Sequence, residues 1–166
     1  GLAQCDARFV ARMDADDLMH RDRLHLQVLR LEAEPLLAGV GCHARPFPGP
    51  TFGDGLRAYT DWLRTVRTAD DVRRDALIEC PLLHPTWLMR RATFASHGYR
   101  EVPWAEDYDL LLRVLQDGLH LGVVPRLLHA WRRGPGTATA TDPRYAPATF
   151  PKLKAAFLAT GLLAGT

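Results

Sequence analysis

Apolar positions change period several times along the chain, and each change predicts an element. Arg8 to Met13, carrying Phe9-Val10, reads as a short strand that ends at an acidic run, Asp14-Ala15-Asp16-Asp17. Leu24, Val28 and Leu31 then recur at helical spacing, and Pro35 stops that helix. Leu36 to Cys42 is a second short apolar run, read as a strand, and the Pro- and Gly-dense stretch from Pro46 to Gly55 reads as a loop. Leu56, Tyr59, Leu63 and Val66 mark one face of an amphipathic helix. Thr68 with Asp71 makes a capping box for a further helix reaching Ile78. Thr86 to Met89 reads as a strand between Pro85 and Arg90-Arg91, followed by a short helix that Gly98 ends. The clearest pattern starts at Glu106, where Tyr108, Leu111, Leu112 and Leu115 share one helical face and Gly118 sits at the C-cap. Leu121 to Val124 and Leu127 to Trp131 read as two strands around Pro125, then a Gly/Pro/Thr-rich loop runs from Gly134 to Pro143. A terminal helix covers Phe150 to Leu163. Alternating strands and helices predict an α/β domain.

Composition narrows the field more by exclusion than by suggestion. The 166 residues suffice for one domain with a core, and a net charge of +2 without a polybasic arm gives no case for nucleic acid as a partner. Arginine supplies nearly all the cations, the only lysines being Lys152 and Lys154. Cys5, Cys42 and Cys80 are far apart and odd in number, which fits reduced thiols in a cytoplasmic setting better than a disulfide frame or a zinc site. The longest apolar stretch, Ala155 to Gly165, falls short of the ~20 residues of a membrane span, so any membrane contact is expected to be peripheral, at the inner face.

Two acidic clusters carry the candidate chemistry. Hard divalent cations such as magnesium or manganese take oxygen ligands, often one or two carboxylates together with substrate phosphates. Asp14 and Asp16, at the end of a strand, suit that role if the chain turns between them. The alternative is that all three aspartates are turn and cap residues, with Asp17 near the start of the next helix. No lysine lies nearby, so the three carboxylates are expected to be unpaired and to repel one another. In the second cluster, Asp107 falls in the first turn of the Glu106 helix, where a carboxylate serves either as a general base or simply as a stabilising charge. Asp109 with Arg113, four residues on, reads as an ordinary surface pair. His84 before Pro85 is expected in extended backbone at the head of a strand, as a structural histidine or a phosphate or metal contact. Arg90-Arg91 and Arg132-Arg133 are candidate phosphate contacts, the first pair more simply read as solvated. Trp104, Trp131 and Tyr99 suit either a sugar face or the core.

Taken in order, the segments ARMDADD, RDRLHLQVLRLEAEP, CPLLHPTWLMRR, GYREVPWAEDYDLLLRVLQDG and LLHAWRR resemble the family 2 glycosyltransferases of the GT-A fold. The match runs from residue 1 to about residue 133, and it is the shared order and spacing that carry it. The resemblance implies an inverting transfer of a sugar from a nucleotide-sugar donor, UDP-linked by preference, to an acceptor hydroxyl on a sugar, glycan or lipid-linked chain. It gives Asp14 and Asp16 the DxD role with a divalent metal, magnesium or manganese. Asp16 would be the direct ligand, and Asp14 would contact the ribose or a metal-bound water. Asp107 becomes the base that deprotonates the acceptor. A histidine common after the last strand of such enzymes is replaced here by Gly134, which leaves Arg132 and Arg133 to meet the diphosphate.

The resemblance also implies an opening segment of nucleotide-binding strands that this chain lacks. The expected fold is therefore an incomplete GT-A domain, Rossmann-like with a mixed sheet, over residues 1–133, with 134–166 a loop and terminal helix. An open strand edge is expected beside Arg8 to Met13. The competing expectation is a non-catalytic α/β fragment, or a module that docks on a separate chain supplying the nucleotide half.

Overall fold

In a computed structural model that describes residues 1–47, 53–134 and 141–160, the chain builds one five-stranded mixed sheet flanked by helices. The strands are β1 (Phe9–Ala11), β2 (Leu18–Met19), β3 (Leu37–Phe47), β4 (Leu88–Arg90) and β5 (His120–Arg132), in spatial order β1-β4-β3-β5-β2. The β3–β5 pair is parallel and the other three are antiparallel. The helices are α1 (Arg23–Ala33), α2 (Asp54–Leu63), α3 (Ala69–Asp75), α4 (Arg91–His97), α5 (Glu106–Gln116) and α6 (Thr149–Ala159). The expected α/β class holds. Residues 135–140 of the expected Gly134 to Pro143 loop lie outside the described residues, as do 48–52 of the expected Pro46 to Gly55 loop and 161–163 of the expected terminal helix; Pro46 and Phe47 instead continue β3, and Asp54 and Gly55 open α2.

Strand alternation sorts the core into two sides. On one side Ala38, Met89, Leu121 and Val123 pack with Trp87, Tyr108, Leu111, Leu115 and Phe157, under α3, α5 and α6. On the other, Leu37, Val40 and Leu88 meet Leu31 of α1. Seven of the eleven residues of α5 are buried, which explains why its pattern was the clearest in the sequence. Gly118 follows it at φ +77°, the left-handed turn that glycine adopts without steric cost. The capping box of α3 is present: Asp71 N–H donates to Thr68 Oγ1 at 3.1 Å and Thr68 N–H donates to Asp71 Oδ2 at 3.0 Å.

Three elements differ from expectation, each for a local reason. Leu121 to Trp131 is one strand, not two, because Pro125 and Arg126 are accommodated by a register shift between Cys42 and His43 of β3. A bulge of that kind absorbs a residue that cannot donate to the ladder. His84 does not head a strand; it opens a 3-10 turn, His84–Thr86, and β4 begins at Leu88. The buried stripe of α1 is Arg23, Gln27 and Leu31, while Leu24 and Leu29 are exposed.

That stripe is polar because it is hydrogen-bonded throughout. Arg23, fully buried, donates to Gln27 Oε1 (3.1 Å), to His129 Nδ1 (3.0 Å) and to the Arg12 carbonyl (2.8 Å). Gln27 in turn donates to the carbonyls of Thr86 (2.7 Å) and Val40 (3.3 Å). Two side chains thus tie α1 to β3, β5, the end of β1 and the 3-10 turn. Arg90 is structural as well, donating to the carbonyls of Leu37 and Leu31 at 2.7 and 2.6 Å. The outer edge of β1 has no strand paired to it among the described residues, as expected. Among those residues no helix is long and apolar enough to cross a membrane.

Arg23→Met keeps the volume but leaves the Arg12 carbonyl, His129 Nδ1 and Gln27 Oε1 without their donor. Urea denaturation should show a loss of about 3–5 kcal/mol. Leu24→Lys, on the exposed face of the same helix, should stay within about 0.5 kcal/mol of the parent.

Candidate functional site

The backbone leaves β1 at Arg12, whose N–H donates to the Trp87 carbonyl at 2.8 Å, and turns through the acidic run. Asp17 is not at a helix start, since α1 begins at Arg23 with Asp22 as its N-cap. It is buried instead, accepting from His129 Nε2 and from the Arg132 backbone N–H, both at 2.7 Å. Because Arg23 donates to His129 Nδ1, the proton of this imidazole sits on Nε2, facing Asp17. Burial, ahead of the neighbouring charges, lowers the pKa of His129 and keeps it neutral.

Nor are the other two carboxylates unpaired. Asp14 Oδ1 lies 2.7 Å from Arg12 Nη2. Asp16 is exposed, its Oδ2 3.9 Å from Arg132 Nε, and its carbonyl accepts from that same Nε at 2.8 Å. Arginine has done what the absent lysines were not there to do. Arg132 also lies over the Phe47 ring and Arg133 over Trp131. Asp14 and Asp16 lie two residues apart on the turn after β1, and their side chains meet different arginines. No group of three or more His, Cys, Asp or Glu side chains able to hold a metal occurs among the described residues.

In the second cluster, two acids two residues apart have opposite surroundings. Asp109 is not a surface pair: it is fully buried and accepts from Arg100 (2.8 and 2.7 Å), Arg113 (2.8 Å) and Trp104 Nε1 (3.1 Å). Burial alone would raise its pKa, but those donors outweigh it and hold the carboxyl below its usual range. This also assigns Trp104 to structure. Asp107, by contrast, has one oxygen satisfied, Oδ1 accepting from the Tyr108 N–H at 2.8 Å. Its Oδ2 faces His84 Nδ1 at 3.6 Å. Burial, partly offset by that N–H, pushes its pKa up to about 6.

Asp14 and Asp107 open onto one cavity of about 410 Å³. Its walls combine Arg12, Glu79, Glu106 and Arg144 with the faces of Tyr59, Trp131, Tyr145 and Phe150. Glu106 is engaged by Arg144 Nη1 and by the Tyr145 hydroxyl, both at 3.2 Å. Glu79 accepts from the Cys80 N–H at 2.8 Å. Asp107 is therefore the wall acid that combines burial with an oxygen free to take a proton. Asp16, Arg132 and Arg133 are not among the wall residues; they lie on the neighbouring turn and strand end. Trp131 does line the cavity, as one of the two alternatives for it allowed. Sequence reasoning missed Arg12, Tyr145 and Arg144. Arg12 had a signal, its place two residues before the acidic run, but the 3-10 turn Pro143–Tyr145 lies in a stretch with no periodicity to read.

No protein-family model matches the chain. An uncharacterized glycosyltransferase of Haemophilus influenzae is 28% identical over 137 residues, covering 82% of this chain and 49% of that protein. The amylovoran biosynthesis glycosyltransferase AmsE of Erwinia amylovora is 27% identical over 135 residues, covering 81% and 48%. The chain thus spans about half the length of the curated relatives it matches. Among solved structures, S. aureus TarS 1–349 in complex with UDP-GlcNAc superposes with a TM-score of 0.68 at 15% identity, over 99% of this chain and 46% of that one. The same protein in complex with UDP gives 0.61 at 14%, over 95% and 42%. At those identities the likeness establishes a shared fold.

The Asp107 carboxyl titrates near 4 when unfolded and near 6 when folded. The folded protein therefore holds the extra proton between those values, and this group favours folding most below pH 4 and least above pH 6. Asp107→Asn keeps the acceptor for the Tyr108 N–H and removes the buried charge. It should raise stability by up to about 2–3 kcal/mol at pH 8, with a gain that shrinks below pH 5. Urea denaturation at the two pH values checks this, and an equal loss at both would mean that Asp107 is held as a structural anion.

Proposed function

We propose that the chain is the acceptor-side and metal-binding part of a glycosyltransferase of the GT-A, family 2 type. In this reading the full-length protein transfers a sugar from a nucleotide-sugar donor to an acceptor hydroxyl, with inversion. The observation that carries it is the cavity shared by Asp107 and Asp14: a carboxylate only 14% exposed, with a raised pKa, lines the same wall as Asp14 and several aromatic rings. Aromatic faces beside carboxylates suit a sugar, whose C–H faces pack on rings while its hydroxyls donate to acid oxygens. The glycosyltransferase names of the relatives support the reaction class, and the UDP and UDP-GlcNAc of the fold neighbour support the donor class.

Each residue then has a task its surroundings suit. Asp107 Oδ2 takes the proton of the acceptor hydroxyl, and a pKa near 6 leaves it ionised at neutral pH yet basic enough to act. One base on the side of the anomeric carbon opposite the leaving diphosphate gives inversion. A divalent cation held by Asp16 and Asp14 would supply neutralising charge to the diphosphate. Arg132, hydrogen-bonded to Asp16 and Asp17, adds fixed positive charge at the same turn, and Arg133 follows it in the chain. An acceptor that is lipid-linked would place the protein at the inner face of a membrane.

A second reading, docking onto another chain, is favoured by one feature, the open outer edge of β1.

The test uses the full-length gene product with manganese and a UDP-sugar. UDP binding by calorimetry should weaken about tenfold or more in Asp16→Ala. Asp107→Asn should bind UDP normally and lose about 100-fold or more in transfer rate. The acid limb of the rate profile should fall as the pH drops through about 6. UDP binding that is absent, or unchanged in Asp16→Ala, would count against the proposal and leave the docking reading.

A further inference from the structure

His84 is the residue of the cavity wall whose contacts the proposed chemistry has not used. It is almost buried, its side chain 11% exposed, and its ring packs edge-on against Trp87 with centroids 4.8 Å apart. Nε2 lies 2.7 Å from the Tyr99 hydroxyl. Nδ1 lies 3.6 Å from Asp107 Oδ2, the oxygen that the Tyr108 N–H leaves free. Tyr99 is 42% exposed, so it joins this buried pair to solvent.

From these contacts we infer that Tyr99 and His84 form a hydrogen-bonded chain that orients Asp107 Oδ2, with the imidazole proton on Nδ1. The inference rests on the base role proposed for Asp107. With Asp107 ionised, as it is above about pH 6, only one arrangement of protons satisfies both contacts. An ionised carboxylate can only accept, so the nitrogen facing it carries the hydrogen, and Nε2 then accepts from the Tyr99 hydroxyl. The other tautomer would aim a lone pair at a carboxylate. Burial, with Arg12 nearby, holds the pKa of His84 down at about 3, so the ring stays neutral and its tautomer is meaningful at every working pH.

The consequence is a divided carboxylate. Oδ1 is anchored by backbone, and Oδ2 is steered by a ring held at Nε2 by Tyr99 and packed edge-on against Trp87. His84 acts through Asp107 and is a positioning residue. A separation of 3.6 Å is long for a hydrogen bond, and such contacts commonly tighten once substrate is bound. The pair belongs to no local sequence motif: His84 comes from the 3-10 turn, Tyr99 from the loop after α4 and Asp107 from α5.

The experiment reads the tautomer directly, by long-range 1H–15N spectra of the histidine-labelled protein, and follows the Asp107 carboxyl by 13C shifts against pH. Arg12, Asp14, Glu79, Glu106 and Arg144, the other charges on the cavity wall, stay unchanged in every variant, so their field is common to each comparison. Expected is the Nδ1–H tautomer for His84, shifting toward Nε2–H in Tyr99→Phe. His84→Asn carries an N–H as many bonds from Cβ as Nδ1 does, and should keep kcat within about threefold. His84→Gln should lose about tenfold or more in kcat at unchanged acceptor KM, with the Asp107 titration moved upward. An Nε2–H tautomer in the parent protein, or equal rates in His84→Asn and His84→Gln with an unmoved titration, overturns the inference. Absence of transfer in the parent with the Nδ1–H tautomer present would instead sink the proposed reaction, and with it the positioning role.

Discussion

The constraint on which the rest depends is a buried guanidinium. Arg23 sits where α1 crosses the sheet, with no access to water, and each of its contacts fastens a different part of the chain. Through His129 it reaches Asp17, so a positive and a negative charge are bridged by a neutral ring whose tautomer they determine. An apolar residue at this position would pack α1 well enough. It would not hold the carbonyl of Arg12 or turn the His129 ring toward Asp17. The acidic turn owes its shape to this chain of donors, because Arg12, two residues before its start, is held at one end and Asp17 at the other.

The same principle, a carboxylate defined by what donates to it, separates Asp107 from Asp109. Both lie in the first turn of α5. Asp109 points among Arg100, Arg113 and Trp104 and is saturated, a fixed anion that binds the loop before the helix to the helix itself. Asp107 points into the cavity, receives one N–H, and keeps an oxygen in reserve. Two residues of helix rotate the side chain by about 200°, which is enough to move it from a cage of donors to an open wall.

Much of the fold was legible because the apolar period is strong where packing is strong. The α5 stripe, the Gly118 stop and the Thr68 capping box all come from local rules, and each appears as read. The polar stripe of α1 was not legible: Leu24 read as part of the apolar face, while Arg23 and Gln27 gave no signal, because burial of a charge depends on partners far away in sequence. The single strand through Pro125 was hidden for a related reason, since a bulge is decided by the partner strand. At the site, the acidic residues were found by type and order. Their pairing was misjudged by looking for lysines, when Arg12 and Arg132 supply the charge. His84 was noticed for the proline after it, but its neighbours Tyr99 and Asp107 meet it only in space.

Asp17 closes the acidic turn onto the backbone of Arg132, 115 residues later. A contact of that separation forms only once both ends have been made, and it closes a long loop against chain entropy. On a ribosome, Asp14 and Asp16 are made before β5 and stay unfixed until that strand has been made and has paired with β3. The shape of the acidic turn therefore forms late relative to the strands around it, and nascent chains that stop short of β5 carry the acidic run without that shape.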